Sequence, residues 1–164
     1  MAIGSAVSEK RTVERERAAR QAMRARSSEA AWHINVAVVD DDAGDMCLIK
    51  EALQKNAHVG DVAAFSSPEE ALFAMAEGRV RPGLIFLDLC MPKVSGFTFM
   101  NALREIPTMA FTPVALLTTS RSVRDVERSR VHDINSYVVK PDSFSELEER
   151  LGAVIKSVAA GRWR

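Results

Sequence analysis

No stretch of this chain approaches the 18 apolar residues needed to span a bilayer, so no transmembrane helix and no membrane partner is expected. The N-terminus lacks the apolar core of a secretory signal. Cysteine is scarce: Cys47 and Cys90 are the only two in 164 residues. They have no metal-ligand spacing and make no disulfide framework, so a reduced, cytoplasmic setting is expected. Neither sign of charge prevails. Lys plus Arg and Asp plus Glu both number 22, and a formal net charge of zero gives no argument for direct nucleic-acid binding. No internal repeat, low-complexity tract or Pro-rich linker follows residue 31. What remains is ordinary for a globular domain: 47% hydrophobic and 27% charged residues, with length for one core plus an appendage.

The neutral total hides an asymmetry. Residues 1–31 carry Lys10, Arg11, Arg15, Arg17, Arg20, Arg24 and Arg26 against Glu9, Glu14, Glu16 and Glu29. The stretch from Val13 to Arg26 has good helix propensity and Glu–Arg pairs at helical spacing, but no wide apolar stripe. Residues 1–32 therefore read as an extension, helical or disordered, more a solvated tail than a partner-contacting basic arm. The folded domain is expected over residues 33–160, with a tail at 161–164. Trp163 in that tail must fold back or meet another chain.

From Ile34 onward, apolar runs alternate with helical patterns. Strands are expected at 34–39, 62–65, 84–88, 114–118 and 136–139. Helices are expected at 44–54, 67–77, 97–104, 123–131 and 144–158. Ser67-Pro68-Glu69-Glu70 is a helix start, with Ser as cap and Pro in the first turn. Ser143 with Glu146 three residues on makes a capping box. Met46, Leu48, Ile49, Ala52 and Leu53 give the first helix an apolar face, with Cys47 in or near the core. Phe86, Phe97, Phe99, Phe111 and Phe144 are assigned to the core, and His33, His58 and His132 to solvated or local roles. Five βα units predict an α/β fold: a doubly wound parallel sheet of five strands, flavodoxin-like, in the order 2-1-3-4-5.

That order sets the chemistry. Val36-Ala37-Val38-Val39 runs into Asp40 and Asp41, and Leu84-Ile85-Phe86-Leu87 runs into Asp88. Continuously apolar strands, buried on both faces, present polar groups only at their carboxyl ends. Three acids gathered there repel, and desolvating each costs several kcal/mol. A hard cation, Mg²⁺ with Mn²⁺ as the alternative, would reconcile them through oxygen ligands. Thr118 ends the fourth strand and Lys140 the fifth. Acids, hydroxyl and ammonium together suit phosphoryl transfer onto a carboxylate nucleophile, in which placement and charge stabilisation do most of the catalysis.

These residues resemble the receiver domain of two-component response regulators over about residues 34–158. Val38-Val39-Asp40-Asp41 is similar to the family's acidic pair. Leu87-Asp88-Leu89-Cys90-Met91-Pro92-Lys93-Val94-Ser95-Gly96 is similar to its phospho-acceptor loop. Leu117-Thr118-Thr119-Ser120 and Tyr137-Val138-Val139-Lys140-Pro141 resemble its switch segments. Thirty residues separate Asp88 from Thr118, and twenty-two separate Thr118 from Lys140, as the family has them.

The resemblance implies that Asp88 accepts a phosphoryl group from a sensor histidine kinase. Asp40, Asp41, Asp88 and the backbone carbonyl of Cys90 would hold Mg²⁺, Thr118 and Lys140 would bind the phosphoryl oxygens, and Tyr137 would turn inward with Thr118. A domain that takes phosphate from a donor and loses it again is a signalling element, not an enzyme acting on a separate substrate. With no output domain expected after residue 160, it would signal alone, by protein contact. Further likeness to regulators paired with bacterial phytochromes makes a phytochrome kinase one candidate partner. It also implies a homodimer through helix 123–131, the fifth strand, the final helix or the C-terminal tail.

Some positions depart from the family pattern. Ser95 stands where the family commonly has Asp, and is expected to matter little. Asp42, a third consecutive acid, reads as compensation of the helix dipole. Arg121 could slow or redirect dephosphorylation. Among rival functions, an Asp-nucleophile phosphatase of the haloacid-dehalogenase type needs a second acid where Cys90 stands. A flavin- or nucleotide-binding module needs a Gly- or Ser/Thr-rich loop where three aspartates would repel its phosphate. A phosphate sink or shuttle in a phosphorelay stays as the alternative reading.

Overall fold

The computed structural model describes residues 32–92, 94–119 and 136–161. The expectations placed on residues 13–26, Arg121, helix 123–131, His132 and Trp163 lie outside the described residues. Strands β1 (Ile34–Val39), β2 (Val59–Phe65), β3 (Leu84–Leu87), β4 (Val114–Thr118) and β5 (Ser136–Val139) form one sheet. Helices α1 (Ala43–Gln54), α2 (Pro68–Ala76), α3 (Gly96–Arg104) and α4 (Phe144–Ala159) connect or follow them. All pairings are parallel, and the order is β2-β1-β3-β4-β5, as the alternation of patterns predicts. No helix among the described residues is long and apolar enough to cross a membrane.

The continuous apolar runs are buried on both faces. Every residue of β3 and β4, and Val36–Val39 of β1, is buried. Strand alternation sends Ala37, Val39, Ile85, Leu87, Val114 and Leu116 to one face, where they join Met75 of α2 and Phe97, Phe99, Met100 and Leu103 of α3. Val36, Val38, Leu84, Phe86, Ala115 and Leu117 take the opposite face. Ile49, Ala52 and Leu53 of α1 and Leu147, Leu151 and Ile155 of α4 are buried, and these two helices contact one another.

Each described helix starts at a side-chain cap. Asp42 accepts the amide of Asp45, Ser67 that of Glu70, Ser95 that of Thr98 and Ser143 that of Glu146. Asp42 is thus a cap just outside α1, and Ser95, at a position where the family commonly has Asp, caps α3. Gly96 is demanded by space. A Cβ there would lie 2.8 Å from the Asp88 carbonyl oxygen and 3.0 Å from the Leu89 Cα.

Five expectations are corrected. β2 begins at Val59, not residue 62. Ile34 pairs with Val59 and the amide of Asp61 donates to Asn35 Oδ1, so pairing with β1 extends the strand ahead of its apolar run. Cys47 is exposed, because Ile49, Ala52 and Leu53 fill the buried stripe of α1 without it. Leu48, expected on that stripe, is 46% exposed. Phe111 is 97% exposed. Arg104 donates to the carbonyls of Met109 and Thr112, and this bonding shapes the α3–β4 connection so that Met109 is buried in Phe111's stead. Phe144 is half-buried, with the Lys55 ammonium 4.4 Å from its ring centre.

Candidate functional site

Register brings the strand ends together. Val39 pairs with Leu87, Leu87 with Leu116, and Thr118 with Val139. Asp40, Asp88 and Lys140 each follow the last residue of a strand. The backbone ties these exits: the Asp88 amide donates to the Val39 carbonyl at 2.9 Å and the Lys140 amide to the Thr118 carbonyl at 2.8 Å.

One carboxylate oxygen from each of Asp40, Asp41 and Asp88 lies within 4.8 Å of the others. Asp40 and Asp88 are buried and Asp41 is exposed. Asp40 accepts from the Asp42 amide through Oδ1 at 2.9 Å and from Lys140 Nζ through Oδ2 at 2.7 Å. Burial pushes the Asp40 carboxyl above its usual range, the charge of Asp88 adds to this, and the Lys140 and Asp42 donors oppose it. Burial acts to depress the Lys140 ammonium, but its bonds to Asp40 and Asp45 prevail and hold it above the ordinary lysine value. Lys140 therefore stays cationic.

Asp88 is bonded differently. Its Oδ2 stands 3.9 Å from Lys140 Nζ, and its buried Oδ1 has no hydrogen-bond partner among the described residues. A buried charged oxygen without a donor is costly. Oxygen-only donors, two of them buried and one open to solvent, fit a hard divalent ion. The open side is a cleft of about 390 Å³ between the start of α2 and the loop after β3, lined by Asp41, Ser67, Pro68, Met91 and Pro92.

Thr118 is fully buried, and its Oγ1 lies 3.6 Å from Cys90 Sγ. Tyr137 is half-buried against the core face that carries α2 and α3. The sequence thus anticipates the gathering of Asp40, Asp41, Asp88, Thr118 and Lys140 at one edge. It misses Asp45, whose Oδ2 accepts from Lys140 Nζ at 2.7 Å. The available signal was position: Asp45 sits in the first turn of the helix that leaves the β1 carboxyl end.

Comparison with known proteins agrees with this arrangement. Residues 36–152 match the response regulator receiver domain. The probable methanogenesis regulatory protein FilR2 of Methanothrix harundinacea is 30% identical over 117 residues, covering 69% of this chain and 76% of that protein. Of several matching transcriptional regulators, the chain spans about half the length, 46% to 48%. The crystal structure of the phosphorylated cyanobacterial phytochrome response regulator RcpA superposes with a TM-score of 0.69 at 27% identity, over 79% of this chain and 96% of that one. The Mn²⁺-bound form of response regulator Rcp1 superposes at 0.66 with 27% identity, over 76% and 92%. Rcp1 of Synechocystis sp. is 29% identical over 120 residues, 68% of this chain and 80% of that protein. A sheet in the receiver order, acids converging at its carboxyl edge and a family match over most of the chain lead to one conclusion: the protein belongs to the response regulator receiver family, the phospho-accepting domains of two-component signalling.

Proposed function

We propose that Asp88 is the phospho-acceptor, taking its phosphoryl group from a phosphohistidine of a sensor kinase. The observation that carries this is the buried Asp88 Oδ1, without a hydrogen-bond partner among the described residues, beside two further acids and a lysine. In the transfer, the Oδ1–P bond forms as the donor's N–P bond breaks, and the electron pair leaves with the imidazole nitrogen. Asp40, Asp41, Asp88 and the Cys90 carbonyl would hold Mg²⁺, or Mn²⁺ in its place. A divalent ion bound there supplies neutralisation of the phosphoryl oxygens. Lys140 and Thr118 would donate to those oxygens, and Tyr137 would follow Thr118 inward. Phosphorylation adds roughly −1.5 to −2 charge, enough to bias a two-state loop.

Several finer assignments belong to the same reading. Likeness to RcpA and Rcp1 supports a phytochrome-type kinase as donor. The output is a change in protein contacts made by residues 33–160, with homodimerisation as one of those contacts. Light scattering with and without a phosphoryl analogue tests the dimer; a monomer under both conditions would remove it.

The decisive test is incubation with acetyl phosphate, with and without Mg²⁺, followed by intact-mass analysis. Wild type should gain one phosphoryl group only with the ion, and Asp88→Asn none. Gain by Asp88→Asn equal to wild type would refute the assignment.

A further inference from the structure

Among the described residues Lys140 is the cation shared by the pocket's acids, and its resting partners are unequal. Its Nζ donates at 2.7 Å to Asp40 Oδ2 and at 2.7 Å to Asp45 Oδ2, while Asp88 Oδ2 stands off at 3.9 Å. An ammonium has three donors and no acceptor, so two of the three are committed away from Asp88. The side chains of Lys140 and Asp40 are 10% and 2% exposed, whereas that of Asp45 is 37% exposed. Water can replace the ammonium at Asp45 far more readily than at Asp40. The bond to Asp45 is therefore the one that yields when a stronger anion appears on Asp88.

Placement reinforces this. Asp45 is in the first turn of α1, fixed by its own amide bonding to the Asp42 cap at 2.8 Å. Its carboxylate and that of Asp88 flank the same nitrogen from different elements, 95 and 52 residues of chain away from Lys140 respectively. A phosphoryl group on Asp88 would both compete for the ammonium and face Asp45 as a like charge across it. Both effects have one sign.

We propose that Asp45 is a positioning residue that restrains activation: in the resting state it holds the Lys140 ammonium on α1, and the phosphoryl group on Asp88 must draw it away. Asp45 thereby sets how readily the phosphorylated state is occupied, and links that state to the first turn of α1. This rests on the reading of Asp88 as phospho-acceptor.

The test uses beryllium trifluoride, an analogue of the phosphoryl group, titrated into the full chain in Mg²⁺ by calorimetry. Asp45→Asn should lower the half-saturating concentration about five- to tenfold, within the usual range of coupling between sites. Asp45→Ser should repeat this effect. Asp45→Glu, which retains a carboxylate, should stay nearer wild type. A merely structural role for Asp45 would move the melting temperature and leave half-saturation where it was. Unchanged or weaker binding by both Asp45→Asn and Asp45→Ser would overturn the proposal. Failure of the wild type to bind, or binding by Asp88→Asn as tight as by wild type, would instead overturn the underlying assignment of Asp88 and this inference with it.

Discussion

At the scale of single residues, the pocket is stabilised poorly in the absence of a cation. Asp40 and Asp88 are both buried, and among the described residues one lysine serves both and Asp88 Oδ1 has no donor. Replacing Asp88 by Asn removes one of two crowded charges and supplies an amide donor that can turn to Asp40. In metal-free buffer Asp88→Asn should therefore raise stability by about 1 kcal/mol, read from urea midpoints, even as it abolishes phosphorylation. A lower midpoint would contradict the account of crowding. Asp40 gives a pH signature. Burial raises its folded-state value above the ordinary 3.8, so its contribution is fully present below 3.8 and is lost as pH rises through the folded value. Asp40→Asn should consequently gain on wild type as pH rises above the ordinary carboxyl value of 3.8 in metal-free buffer. A stability gap that stays constant over that range would mean that Asp40 titrates normally.

At the scale of elements, caps and apolar runs decide most of the architecture, and these are local. Strands β1, β4 and β5 begin and end where the sequence predicts, because each apolar run stops at a residue that belongs in the pocket or its rim. Ser143 is recognisable as a cap for the same local reason. Ser143→Ala should cost about 1 kcal/mol by chemical denaturation and leave the rate of phosphorylation by acetyl phosphate within twofold of wild type. A larger loss of phosphorylation would place α4 in the chemistry. Features that depend on a distant partner were illegible. The start of β2 is made by pairing with β1 and by Asn35, not by its own Gly60 and Asp61. Asp45 acquires its role from a lysine 95 residues away. Hydrophobicity likewise states what could be buried, not what finds a neighbour. Phe111 reads as core but projects from a connection bonded through Arg104. Phe111→Ser should accordingly change stability by no more than about 0.5 kcal/mol in a thermal melt. A core-sized loss would show that this side chain is packed in solution.

At the scale of the whole molecule, the parallel sheet converts a folding decision into an electrostatic one. Only the folded register aligns the ends of β1 and β3, so only the folded chain holds Asp40, Asp41 and Asp88 with oxygens within 4.8 Å of one another. The unfolded chain has the same acids at coil separations and little reason to bind a divalent ion. Mg²⁺ should thus stabilise the folded state by mass action, by about 1.4 kcal/mol at ten times its dissociation constant, and shift thermal unfolding upward by several degrees. Chelation should reverse the shift. Asp88→Asn and Asp40→Asn should each lose most of it, while Asp45→Asn, whose carboxylate faces Lys140, should keep it. Sodium chloride at equal ionic strength screens exposed charges but does not enter a buried oxygen cluster, so it should reproduce only a small part of the effect. If magnesium shifted wild type and the two pocket variants equally, the ion would be acting on the surface at large. The convergence of strand ends would then have no bearing on its binding.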